Sequence, residues 1–156
     1  MKLDSIDVRL LAELQQDGRR SVVELAERVG LSPTPCARRI RQLEDAGIVR
    51  GYAAQIDPTR LGLTVRAFVQ VKLERHTDET VARFSDALAA LDEVVSCHAT
   101  TGDHDFMVQV LAADLESLSN IVLRSLLRIP GVRDVKSSLA LETVKQSLRL
   151  PLGHLR

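Results

Sequence analysis

Net charge is the first thing the 156-residue sequence lacks: 21 lysines and arginines stand against 21 aspartates and glutamates. That excludes a histone-like protein that coats nucleic acid by bulk charge, and it excludes an acidic disordered tail. Aromatic residues are scarce, with no tryptophan, one tyrosine and three phenylalanines. A base-stacking platform for single strands needs more. No stretch approaches the roughly 18–20 apolar residues that span a bilayer, so no membrane partner is expected. The opening residues, Met1-Lys2-Leu3-Asp4-Ser5, turn acidic and amphipathic at once and do not read as a signal peptide. Cysteine is limited to Cys36 and Cys97, far apart, outside any C-x-x-C pair and without histidines at zinc spacing. The expectation is a cytoplasmic protein with two buried thiols, no metal and no cofactor.

What is present is an ordinary globular balance, 45% apolar and 27% charged, in a length that permits one mid-sized domain or two small ones. Asp4 can cap a first helix whose apolar residues Ile6, Leu10, Leu11 and Leu14 fall on one stripe, with Gly18 to end it. Ser21-Val22-Val23-Glu24 is a capping box for a second helix that turns Leu25, Ala26 and Val29 inward and closes at Gly30. Almost at once Ser32 caps a third, with Pro33 at its first position, running to Gly47. Three short helices with a tight Gly-containing turn are the signature of a helix-turn-helix. On the wheel of the third helix, Cys36, Ala37, Ile40 and Leu43 form a dry face; Thr34, Arg38 and Arg41 oppose it beside Gln42, and Arg39 lies at the flank. Arginines so placed suit guanine edges or phosphates in a major groove. The neutral total hides local charge: residues 19–50 hold seven arginines against four acids. Residues 48–56 read as a small hairpin, or wing, that brings Arg50 near phosphates.

Asp57-Pro58 to Leu61-Gly62 reads as the junction between two domains, 1–57 and 58–156. Residues 63–74 then alternate, with Val65, Ala67, Val69, Val71 and Leu73 on one face. A helix follows, capped by Thr77 or Asp78, with Val81, Phe84, Leu88 and Leu91 in stripe. Strands are expected over 94–101, 106–111 and 132–144, and a helix over 115–129 with Leu118, Val122, Leu126 and Ile129 inward. The order β-α-β-β-α-β predicts a ferredoxin-like unit, so the fold class is α+β: a (winged) helix-turn-helix followed by a ferredoxin-like domain. The sheet's second face, with Phe68, Val108 and Leu139 as its apolar residues, is expected to be a partner surface.

The sequence resembles the Lrp/AsnC (leucine-responsive, feast–famine) family of transcription regulators over nearly its whole length. The resemblance is carried by Val29-Gly30-Leu31-Ser32-Pro33-Thr34-Pro35-Cys36 with Arg39 and Leu43-Glu44, and by Thr101-Gly102-Asp103-His104-Asp105-Phe106. Leu127-Arg128-Ile129-Pro130-Gly131-Val132 and Val144-Lys145-Gln146-Ser147 add to it. It implies an N-terminal domain that binds double-stranded DNA, and a C-terminal domain that makes homodimers and higher rings, often octamers. Amino acids or related small molecules are then bound in clefts between C-terminal domains. By position, Ser32, Pro33, Thr34, Arg38, Arg39 and Arg41 match the DNA-contacting set. Ala99, Thr101, Gly102, Asp103 and Asp105 match the effector hairpin, and Ser138, Leu139 and Ala140 match last-strand positions that influence effector response. A tight glycine turn bares backbone amides for an amino acid's carboxylate, and a nearby aspartate can meet its ammonium.

Two other functions are weighed. A ligand-independent architectural DNA-organising protein would use the same fold. An enzyme is not expected, because the four histidines show no H-E-x-x-H spacing and there is no G-x-S-x-G or phosphate loop.

Overall fold

A computed structural model describes residues 2–155. The chain divides into two units: Met1–Gln55 together with Lys145–Arg156, and Ile56–Val144.

The first unit is three helices around one apolar core, α1 (Ser5–Gln16), α2 (Val22–Val29) and α3 (Pro33–Asp45). Its entry is set by two reciprocal capping boxes. The Asp4 carboxylate accepts from Ile6 N–H and Asp7 N–H while Asp7 reaches back to Asp4 N–H. Ser21 and Glu24 do the same for α2. Gly30 takes the left-handed conformation (φ 72°) that ends α2 and lets Leu31 N–H return to the Ala26 carbonyl. The α2–α3 turn is therefore short, and α3 starts on Pro33. Ser32 stands at the cap position but its side chain makes no capping bond. Leu10, Leu25, Val29, Cys36 and Leu43 are fully enclosed. Each such side chain contributes about 1.5–3 kcal/mol by leaving water.

Three expectations change here. Ala37 is exposed, because at 100° from Cys36 it lies off the dry face. Residues 50–56 form no strand and no hairpin: they lack alternation, and Tyr52 instead packs at Gly18 and donates from its hydroxyl to Glu44 Oε1 (2.9 Å). Residues 145–156, expected to close the second domain, group with the helices, where Leu152 packs against their core.

The second unit opens with a 3-10 turn at Thr59–Leu61 that Asp57 caps through Thr59 N–H. It then follows β1 (Val65–Leu73), α4 (Asp78–Ala89), β2 (Val94–Ala99), β3 (Phe106–Ala112), α5 (Leu115–Asn120) and β4 (Val132–Leu139). The sheet order is β2-β3-β1-β4, all antiparallel. This is the expected α+β ferredoxin-like arrangement. Ala67, Val69 and Val71 of β1 and Phe106, Val108 and Val110 of β3 meet Phe84, Leu118, Val122 and Leu126 from the helices in one core. The strands end sooner than expected, β2 at Ala99 and β4 at Leu139. Beyond Asn120, α5 loosens into a π-helical turn (Ile121–Ser125) and a 3-10 turn (Leu126–Arg128), which keep Leu126 and Ile129 in the core.

The second sheet face differs from expectation. Val108 lies directly opposite Val69, and Leu139 opposite Ala67, so both point to the helix side. The far face carries Phe68, Met107 and Leu111, interleaved with Gln70, Gln109 and Ser138. Cys36 is buried as expected, whereas Cys97 is exposed because edge strand β2 has a neighbour on one side only. Among the described residues, no helix is long and apolar enough to cross a membrane, and no cluster of His, Cys, Asp or Glu could hold a metal.

Candidate functional site

The arginines of the helical unit sort by their partners. Arg20 and Arg28 both reach the Glu13 carboxylate, Arg28 at 3.3 Å. Arg39 Nη1 donates to Asp4 Oδ2 and to Asp7 Oδ1, each at 2.8 Å. The Asp7 side chain is only 5% exposed, so this ion pair ties the middle of α3 to the start of α1. The same contacts raise the guanidinium's pKa, Asp7 first and then Asp4. The Asp4 carboxyl is held below its ordinary value, chiefly by the Asp7 N–H and then by Arg39.

Arg38 and Arg41 differ. Both are exposed, and among the described residues neither has a hydrogen-bond or ion-pair partner. They stand on the face of α3 away from Cys36, Ile40 and Leu43, with exposed Thr34 one turn earlier and exposed Ser32 and Pro33 at the helix entry. Thirteen residues of helix span about 20 Å, and such a helix fits a major groove. Arg19 and Arg50 are likewise exposed and unpaired through their side chains. Arg19 was not in the set read from sequence. Its signal was its place at the head of the arginine-rich stretch 19–50, just before α2 begins.

The residues expected to form an effector site fall into two groups. Ala99 pairs with Phe106 at the end of β2. Thr101, Gly102 (φ 114°) and Asp103 make an exposed turn. This hairpin borders a depression lined by Lys72, Asp103, His104, Arg133 and Asp134. Asp105 is already engaged: its Oδ2 accepts from Leu73 N–H (2.7 Å), its Oδ1 is 3.4 Å from His76 Nδ1, and its own N–H donates to the Val71 carbonyl. Asp105 therefore ties the hairpin to the end of β1. Ser138, Leu139 and Ala140 lie elsewhere: Ser138 pairs with Phe68, and Ala140 N–H donates to the Arg66 carbonyl. From the β2 group they are three strands across and three residues along, about 17 Å. One chain does not bring the eight residues into a single pocket.

Comparison with known proteins adds the following. A profile of the AsnC-type helix-turn-helix domain matches residues 3–44, and a profile of the Lrp/AsnC ligand binding domain matches residues 66–150. The leucine-responsive regulatory proteins of Klebsiella pneumoniae and Escherichia coli K12 are each 42% identical over 148 residues, covering 95% of this chain and 90% of theirs. The crystal structure of a transcriptional regulator from Neisseria meningitidis in complex with L-Met has a TM-score of 0.94 at 44% identity, covering 99% of both chains. An AsnC family transcriptional regulator from Agrobacterium tumefaciens has a TM-score of 0.92 at 35% identity, over 97% of this chain and 99% of that one.

Proposed function

Since the chain belongs to the Lrp/AsnC family of transcription regulators, we propose that it reads double-stranded DNA through Thr34, Arg38 and Arg41 of α3, and that an amino acid modulates its binding or assembly. The observation that carries the first part is the division of labour among the arginines. Arg38 and Arg41 are left without partners on one face, while Arg39 is spent on Asp4 and Asp7. Ser32 and Pro33 sit at the helix entry, near the phosphates, with Arg19 and Arg50 as outlying phosphate contacts. Arg39 holds the helix in place for the other two.

The separation of the Ala99–Asp103 hairpin from Ser138–Ala140 supports an effector cleft completed by a second copy, so that one copy's hairpin faces another's last strand. Amides around Gly102 would take the carboxylate, and Asp103 the ammonium. Asp105 supports that turn from behind. Ala99, Ser138 and Ala140 are small and leave room for a ligand side chain. Phe68, Met107 and Leu111 on the far sheet face supply apolar surface for pairing copies into a homodimer, with an octamer as the higher assembly.

The deciding experiment is a thermal-shift screen with each of the twenty amino acids, repeated as DNA-binding anisotropy. A bound effector at about 100 times its Kd raises stability by about 2.7 kcal/mol. L-methionine is tested first, as the ligand of the Neisseria regulator. If no amino acid shifts the melting temperature or the DNA affinity, the architectural, ligand-independent reading replaces this one.

A further inference from the structure

Residues 145–155 come after the sheet unit in sequence, yet they group with the helices. The segment is irregular up to one 3-10 turn, Gly153–Leu155, closed by Leu155 N–H donating to the Leu152 carbonyl (3.1 Å). Two of its contacts are with α1 and the helical core. The Gln15 side chain satisfies both backbone groups of Leu150: its Nε2 donates to the carbonyl (3.3 Å), and its Oε1 accepts from the N–H (2.5 Å). Two residues on, Leu152 packs against the helical core. Leu152 and Leu155 lie along a groove on α1 with Ser5, Val8, Arg9 and Ala12. A glutamine that bonds both groups of one residue fixes backbone much as a ladder rung does, and the leucine sets the register. None of these residues belongs to the arginine face of α3.

We propose that residues 145–155 are a strap, docked in the α1 groove, that gives the helix-turn-helix head a second attachment to the sheet unit. The first attachment is the linker that crosses the boundary at Gln55 and Ile56. A head on one linker is free to turn, and each head an assembly seats on DNA then bears the ordering cost. A head held at two points has lost that freedom beforehand. The gain appears only when more than one head of an assembly engages the same duplex. This inference rests on the reading that α3 binds DNA.

The test uses the full chain with Leu152→Asp, Gln15→Ala and the conservative Leu152→Met. The DNA is a duplex selected from a random pool by the wild-type chain, together with the same duplex with one half scrambled. Hydrogen exchange is expected to rise in residues 145–155 and along α1 for Leu152→Asp, and to stay near wild type for Leu152→Met. Affinity for the intact duplex should fall about tenfold while affinity for the half-scrambled one stays within about twofold. Wild-type exchange in Leu152→Asp would show that nothing is docked and overturn the strap. Equal loss on both duplexes would reduce the segment to a prop for the head's own fold and overturn the tethering role. An empty selection by the wild-type chain would remove the DNA reading beneath the proposal, an outcome distinct from both.

Discussion

Arg38, Arg39 and Arg41 share a helix and a chemistry but not a task, and single substitutions separate them. Arg38→Ala or Arg41→Ala should each weaken DNA binding by about 1–3 kcal/mol in an anisotropy titration and leave unfolding unchanged. Arg39→Ala should lower the melting temperature of the helical unit by roughly 4–8 °C, because the enclosed Asp7 carboxylate loses its cation. Equal effects of all three on DNA would undo that division. The wheel already placed Arg39 at the edge of the dry face. Its partners were not legible there, because Asp4 and Asp7 lie more than thirty residues back and only the packing of α1 on α3 makes them neighbours. The partners of Asp105 were not legible for a similar reason: it reaches from the residue before β3 to Leu73 at the end of β1 and to His76 beyond it. Tyr52 gives a second residue-level expectation. Burial, and then its hydrogen bond to Glu44, push the phenol up to about 12 from an ordinary 10.0. A raised pKa means the neutral form is favoured by folding. This latch therefore contributes fully below pH 10 and fades as pH climbs through about 12. With a single tyrosine in the sequence, phenolate absorbance reads that group alone. A midpoint near 10 would mean Tyr52 is detached from Gly18 and Glu44.

At the level of elements, β4 can start only because of Gly131. Its φ is +95°, and a Cβ there would come within 2.6 Å of Thr80 Cγ2 in the first turn of α4. Gly131→Ala should cost at least about 1 kcal/mol in a urea melt, more than Gly102→Ala, where φ is also positive but the space is open. If the two variants melt alike, the close approach to α4 is not what demands glycine. Most elements were legible because their periodicities are unambiguous. The alternation of β1 put Ala67, Val69, Val71 and Leu73 in the core with Val65 half-buried at its start, and of the expected stripe Phe84 and Leu88 are buried while Val81 and Leu91, the latter just past α4, are half-buried. Strand β3 shows where pattern fails. Phe106-Val108-Val110 and Met107-Leu111 are both apolar, so parity is undecided until Val108 meets Val69 across the ladder. In α5 the inward residues were correct although the helix type was not. Leu118, Val122 and Leu126 recur every fourth residue, which drifts about 40° per step in an α-helix, and a π-helical turn absorbs the drift.

For the whole molecule, a zero total charge and a DNA-reading head are reconciled by placement. Within residues 19–50 of each head, four arginines are exposed with no side-chain partner among the described residues: Arg19, Arg38, Arg41 and Arg50. A dimer that touches DNA through these arginines of both heads alone should therefore show log Kd rising with log salt at a slope no steeper than about +7. A steeper slope would mean that further cations also touch the duplex, such as Lys2 and Arg149 of the head or those of the sheet unit. The overall plan was readable in order of motifs, but the grouping of residues 145–155 with the helices was not. Their sequence is neither a stripe nor an alternation, and Leu152 has meaning only against a groove more than a hundred residues upstream. That non-local closure has a consequence in time. On the ribosome, α1 to α3 emerge first, but Leu152 follows only after the whole of 56–144 has been made, roughly 5–20 s later at ~5–20 residues per second. A nascent chain cannot finish its head before it has synthesised the sheet domain, so incomplete translation products carry an unfinished head.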